Sequence, residues 1–147
     1  MIDLDSQRAS HALANIRQLR EQAEKETGTA TEQAKATYGN YVSFVKALPA
    51  AILINGLGQA LASELAAKGN KNATQIGHDK LFQHINTWLG RNDPLAPYPN
   101  AIADDVGILN ALVDGDQHSY TIAQQEAMAY LGWLKKFAVA LLIVTFR

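Results

Sequence analysis

The stretch Ala51-Ile52-Leu53-Ile54-Asn55-Gly56-Leu57-Gly58-Gln59-Ala60-Leu61 decides the fold. It reads in two ways. An apolar run entering Gly-x-Gly is the start of a strand and phosphate turn in a dinucleotide-binding βαβ unit, or it is a piece of apolar helix whose glycines admit a close neighbour. The βαβ reading needs a third glycine at position 61, where leucine stands, and a second strand downstream, where no strand pattern follows. The helical reading extends in both directions. Leu57, Leu61 and Leu65 continue the apolar face, alanines fill the spaces, and Pro49 suits the first turn of a helix, where its missing N–H is not needed. A helix from about Pro49 to Lys68 is therefore expected, buried on most sides. Gly56 and Gly58 would each cost roughly 1 kcal/mol within it and imply that a neighbouring backbone comes close.

Working outward, helical spacing recurs on both sides. From Ser6 to about Thr27, Ala9, Ala12, Leu13, Ile16, Leu19 and Ala23 form one stripe, with Asp5 or Ser6 as cap and Gly28 as terminator. A second helix is expected from about Glu32 to Ala47, carrying Tyr38, Tyr41, Val42 and Val45 on one side. Leu48-Pro49 would break it and place Lys46 near a turn. A fourth helix runs from about Asn72 to Leu89, and the segment from Gly90 to Asn100, with Pro94, Pro97 and Pro99, is an irregular connection. A short fifth helix from about Asp104 to Val113 and a long last one from about Gln117 to Ile143 complete the chain. No strand is required, so the expected architecture is all-α, a single compact bundle of about six helices forming one domain over residues 1–147.

At 147 residues, with 48% hydrophobic and 18% charged side chains, the chain can bury a core without staples. It has no cysteine, which removes disulfides, thiolate zinc and cysteine nucleophiles from consideration. The acidic start, Met1-Ile2-Asp3-Leu4-Asp5, lacks the pattern of a secretory leader. The apolar stretch Phe137 to Phe146 reaches only half of the ~20 residues that span a bilayer. The expectation is a cytoplasmic protein without membrane contact.

Catalytic readings fail on spacing. His11, His78, His84 and His118 are too scattered for a metal site, and His78-Asp79, which invites comparison with metal-dependent phosphohydrolases, lacks further ligands and reads as polar helix surface. The serines lie in helical or capping contexts. Asp104-Asp105 and Asp114/Asp116 are explained as carboxylates at helix starts. No catalytic residue, metal or cofactor is assigned, and a small nucleotide-processing enzyme is the weakest reading.

Three segments carry a family resemblance. The run Tyr38-Gly39-Asn40-Tyr41 through Lys46-Ala47-Leu48-Pro49, followed by Ile52 to Leu61, resembles the central signature of the small-subunit family of the type III-B CRISPR (Cmr) RNA-targeting complex. Tyr120 to Ala138 resembles that family's C-terminal helix, and Gln7-Arg8-Ala9 its N-terminal start; the segment Lys68 to Asp104 carries no matching motif. The resemblance implies a non-catalytic helical subunit that stacks in several copies beside the backbone filament of the effector. Its partners would be other Cmr subunits, further copies of itself, and guide RNA and target RNA through the assembly.

A formal net charge of −1, from 13 basic and 14 acidic residues, is not that of a stand-alone nucleic-acid binder. Phosphate contact would have to come from a local patch, for which Lys46, Lys135, Lys136, Arg8, Arg17 and Arg20 are the candidates. Arg17 with Glu21 and Arg20 with Glu24 are also spaced as i,i+4 pairs. The aromatic residues Tyr38, Tyr41, Trp133 and Phe137 read as core rather than as platforms for bases. A helical protein–protein adaptor without nucleic-acid contact is the competing reading, favoured by the neutral charge.

Overall fold

The computed structural model describes residues 3–101 and 106–142. These form six helices: α1 (Leu4–Glu24), α2 (Thr29–Asn55), α3 (Leu57–Ala67), α4 (Ala73–Leu89), α5 (Gly107–Asp114) and α6 (Gln117–Leu141). The fold is all-α, a compact bundle, as the periodicity requires. Asp104 and Asp105, expected at the start of the fifth helix, lie outside the described residues, as does the stretch beyond Leu142.

Side-chain caps set three of the helix starts. Asp3 accepts a hydrogen bond from the Ser6 N–H at 2.7 Å, Asn72 from the Gln75 N–H at 2.9 Å, and Asp116 from the Ser119 N–H at 2.7 Å. The α1 cap is thus Asp3, earlier than the expected Asp5 or Ser6. Asp114 is not at a helix start but is the last residue of α5.

The largest departure from the sequence reading is at Pro49. α2 runs through it for 27 residues and ends only at Asn55. A proline inside a helix loses one backbone hydrogen bond and crowds the preceding turn, at roughly 3 kcal/mol. Val45, Leu48 and Ile52, which are buried on either side of it, each contribute about 1.5–3 kcal/mol by burial, enough to hold the helix together across the defect. The break comes at Gly56, whose φ of +86° is a left-handed conformation that side chains disfavour. Gly56 is therefore a helix breaker and not an interior residue. What approaches it is a side chain: a Cβ there would lie 3.0 Å from the Tyr120 hydroxyl, and one on Gly58 would lie 3.4 Å from it. The same hydroxyl accepts the Gly58 N–H at 2.8 Å, and Gln124 Oε1 accepts the Leu57 N–H at 3.0 Å. α6 thus caps α3, satisfying N–H groups that a helix start leaves without partners.

Nor is this region buried on most sides. Leu53 and Ile54 are 70% and 79% exposed at the end of α2.

α4 packs against α1, α2, α3 and α6. Leu81, Phe82, Ile85, Trp88 and Leu89 are buried on it. Gly77 lets α2 come close: a Cβ there would sit 3.1 Å from the Phe44 ring. His78 is not plain polar surface. Its ring stacks on Phe44 at 3.7 Å and its Nδ1 meets Glu64 Oε2 at 2.6 Å, while Asp79 pairs with Lys68 at 3.5 Å, so both residues tie α4 to α2 and α3.

Candidate nucleic-acid interface

The six basic candidates fall into three groups. Lys135 and Lys136 stand side by side on the exposed face of α6, between the buried Leu134 and Ala138. Neither makes an ion pair among the described residues. Lys136 lines a shallow depression with Asp5 and Trp133, and Trp133 Nε1 donates to Asp5 at 3.0 Å, which fixes the first turn of α1 against this end of α6. That hydrogen bond, with one from Arg8, holds the Asp5 carboxyl below its ordinary range.

Lys46 is exposed in the body of α2 and not at a turn, because the helix continues through Pro49. Arg17 is exposed on α1 and makes no ion pair with Glu21; Arg20 pairs with Glu24 at 3.1 Å. From Asp5 to Arg17 the rise of α1 is roughly 18 Å, so these arginines do not join the α6 lysines in one patch.

Arg8 points inward. Its Nε and Nη2 donate to the two oxygens of Glu126 at 2.7 and 2.8 Å, and Nη1 donates to Asp5 at 3.2 Å. The bidentate fork raises the guanidinium pKa further, chiefly through the Glu126 hydrogen bonds. Burial opposes ionisation of Glu126, but the hydrogen bonds from Arg8 and from Trp88 Nε1, at 3.0 Å, outweigh it and keep this carboxyl below its ordinary range.

Around this ion pair lies a polar core that sequence reasoning missed. Trp88 stacks on Tyr130 with ring centres 5.2 Å apart, and the Arg91 guanidinium sits 3.8 Å over the Trp88 ring. The Tyr130 hydroxyl meets His11 Nδ1 at 2.5 Å and accepts from Asn15 Nδ2 at 3.1 Å. Tyr41 meets His84 Nδ1 at 2.7 Å. Burial pushes His11 down to about 4, with the nearby Arg91 adding to it, and burial pushes His84 down to about 3, so both imidazoles are neutral near pH 7. The one sequence signal was Glu126, a carboxylate set beside Ala123, Ala127 and Tyr130 on an otherwise apolar stripe.

Tyr38 and Tyr41 are buried, as read from the sequence, and Tyr38 donates to the Leu19 carbonyl. Trp133 and Phe137 pack against the core edge, stacked 5.6 Å apart. Among the described residues no three histidine or carboxylate side chains gather as metal ligands would, and no helix is long and apolar enough to cross a membrane.

Across residues 4–141, nearly the whole of this helical core, the chain matches the family model described as CRISPR-associated protein (Cas_Cmr5).

Proposed function

Because the chain belongs to this CRISPR-associated Cmr5 family, and is thereby a Cmr-complex subunit, we propose that it is a non-catalytic structural component of a type III-B ribonucleoprotein effector in the cytoplasm. In this reading copies of it stack along the filament with other Cmr subunits and help to hold the guide RNA–target RNA duplex during antiviral defence. The observation that carries the RNA contact is the pair Lys135 and Lys136, two adjacent exposed ammonium groups without ion-pair partners among the described residues, near the end of α6. Phosphate contacts of this kind position a duplex without reading its sequence, which base pairing to the guide supplies. A few cations per subunit suffice when the subunit repeats, so a net charge of −1 fits the role.

Lys46 and Arg17, both exposed, are secondary contacts in this proposal. Arg20 is shared with Glu24, and Arg8 is committed to Glu126, so Arg8 acts by fixing α1 on α6. The non-catalytic role is supported by the use to which the buried histidines and Glu126 are put, each hydrogen-bonded within the core. A second reading, a protein–protein adaptor without nucleic-acid contact, is favoured by the exposed Leu53 and Ile54.

The two readings separate on one experiment. The tagged chain is mixed with the remaining Cmr proteins and guide RNA, and the target RNA retained is compared for wild type and for the double variant Lys135→Glu/Lys136→Glu. The RNA-holding role expects an assembled complex with reduced retention. An assembled complex whose retention is unchanged points to the adaptor.

A further inference from the structure

The two ends of α2 carry complementary features. At the C-terminal end Leu53 and Ile54 stand side by side, largely in solvent, while Leu48 and Ile52 just before them are buried. Leu95 and Val113 are as exposed, but each has no exposed large apolar neighbour in sequence. Single exposed aliphatic residues are ordinary on a protein surface, whereas adjacent ones form a patch. The tip they make is also uncharged: from Ala47 to Ser63 there is no Asp, Glu, Lys or Arg, the longest such run in the chain. A phosphate backbone finds no cation there, so RNA does not suit it.

At the N-terminal end of α2 lies an apolar cavity of about 180 Å³, mainly between α1 and α2. Leu19 and Ala23 of α1, Ala30 and Ala34 of α2, and Ile76 of α4 wall it. The alanines leave the space that longer side chains would fill. The Tyr38 hydroxyl, donating to the Leu19 carbonyl, pins α2 to α1 beside it. Its charged lining is Glu26 and Lys80, one of each sign, which favours neither an acidic nor a basic occupant. An apolar cavity of about 150 Å³ admits benzene, so this one has room for one branched aliphatic side chain.

Ala34 and Ile54 lie on the same helix, ~30 Å apart along its axis, so no chain can fill its cavity with its own tip. A second copy can. Tip and cavity are different surfaces, so each such contact leaves one tip and one cavity free, and the contact repeats without closing into a symmetric pair. Stacking along a filament requires that kind of contact.

We propose that copies of this chain join head to tail, with Ile54 of one copy seated in the α1–α2 cavity of the next and Leu53 lying against its rim. The proposal rests on the reading that copies stack in the effector, and it names the two surfaces through which they meet.

The chain has no cysteine, which makes disulfide capture selective. The full chain carrying Ile54→Cys/Ala34→Cys is assembled with the remaining Cmr proteins and guide RNA, then oxidised. Its two new thiols cannot pair within one chain, because a disulfide spans Cα atoms only roughly 4.4–6.8 Å apart. A ladder of dimers, trimers and longer species is expected, with at most dimers from either single variant. Leu53→Asp/Ile54→Asp, which alters exposed positions only, should lower the number of copies per complex by about twofold at an unchanged melting temperature, read from the mass of the intact assembly. A complex that holds several copies yet gives no ladder overturns the contact and leaves the stacking reading standing. So does a disulfide to another Cmr protein, or dimers formed as readily by Ile54→Cys alone, which would mean tip against tip. A wild-type assembly with a single copy of the chain, or none, overturns the stacking reading and the contact together.

Discussion

Arg8 on α1 and Glu126 on α6, 118 positions apart in the chain, meet through two hydrogen bonds of 2.7 and 2.8 Å, and Trp88 of α4 donates to the same carboxylate at 3.0 Å. One carboxylate thus joins three helices. Both side chains of the ion pair are largely withdrawn from water, at 18% and 10% exposure. Such a pair contributes less to net stability than to the cost of breaking it, since a lone buried charge has no compensation.

Glu126→Ala should therefore destabilise the bundle by about 2–4 kcal/mol, towards the low end for a pair not wholly buried. Arg8→Met combined with Glu126→Leu should recover much of that loss, because the double variant leaves no unpaired charge. Urea unfolding of Arg8→Met, Glu126→Leu and the double variant measures the coupling. Additive losses would mean that the two groups act independently.

Stability should decline as the solution is acidified from neutrality, before the carboxylates titrate. His84 and His11 are held neutral in the folded state, near 3 and 4, against 6.5 when exposed. Between those values the unfolded chain binds protons that the folded chain refuses. Stability is then full above 6.5 and falls as pH drops through the window below it. The slope from His84 alone approaches about 1.4 kcal/mol per pH unit at its steepest, and His11, less deeply placed, adds a smaller amount. Glu126, whose pKa is depressed, adds a loss of the same sign below its exposed value of 4.5. Denaturation midpoints at pH 7, 6 and 5 test the histidine part, and equal midpoints would show that the imidazoles titrate freely.

Gly56→Ala should cost about 1–2 kcal/mol, because φ is +86° there and the new Cβ would meet the Tyr120 hydroxyl at 3.0 Å. A leucine at the same place should cost more, about 1–3 kcal/mol from overpacking in addition to the backbone strain. Tyr120→Phe removes the second obstacle and leaves the first, so Gly56→Ala should still destabilise in that background. A melting temperature unaffected by Gly56→Ala would mean that α2 and α3 are joined in another way.

Reversing the charges of Lys135 and Lys136 should leave unfolding within about 0.5 kcal/mol of wild type, as expected for surface groups outside any network. Retention of target RNA by the assembled complex should weaken, and its dependence on salt should become shallower as phosphate contacts are lost. Arg8→Glu should behave in the opposite way, lowering the melting temperature of the free chain through Glu126. A salt dependence identical to wild type for the lysine variant would remove these two residues from the interface.

Much of the architecture was legible in the order of residues because helix formation is local. The recurrence of Ala12, Ile16, Leu19 and Ala23 along α1, or of Leu81, Ile85, Trp88 and Leu89 along α4, fixes which side faces inward whatever lies opposite. Asn72 and Asp116 mark helix starts for the same reason, since their partners are three residues on. The sequence by itself determined an all-α chain, its proline-rich connection and its family. The tertiary structure decided what depends on contacts between distant residues. It carried α2 through Pro49, because Val45, Leu48 and Ile52 are buried on both sides of it, and it ended that helix at Gly56, beneath Tyr120. It took Arg8 from the list of surface cations by setting Glu126 against it. Contacts between residues far apart in the chain are properties of packing, and local spacing does not encode them.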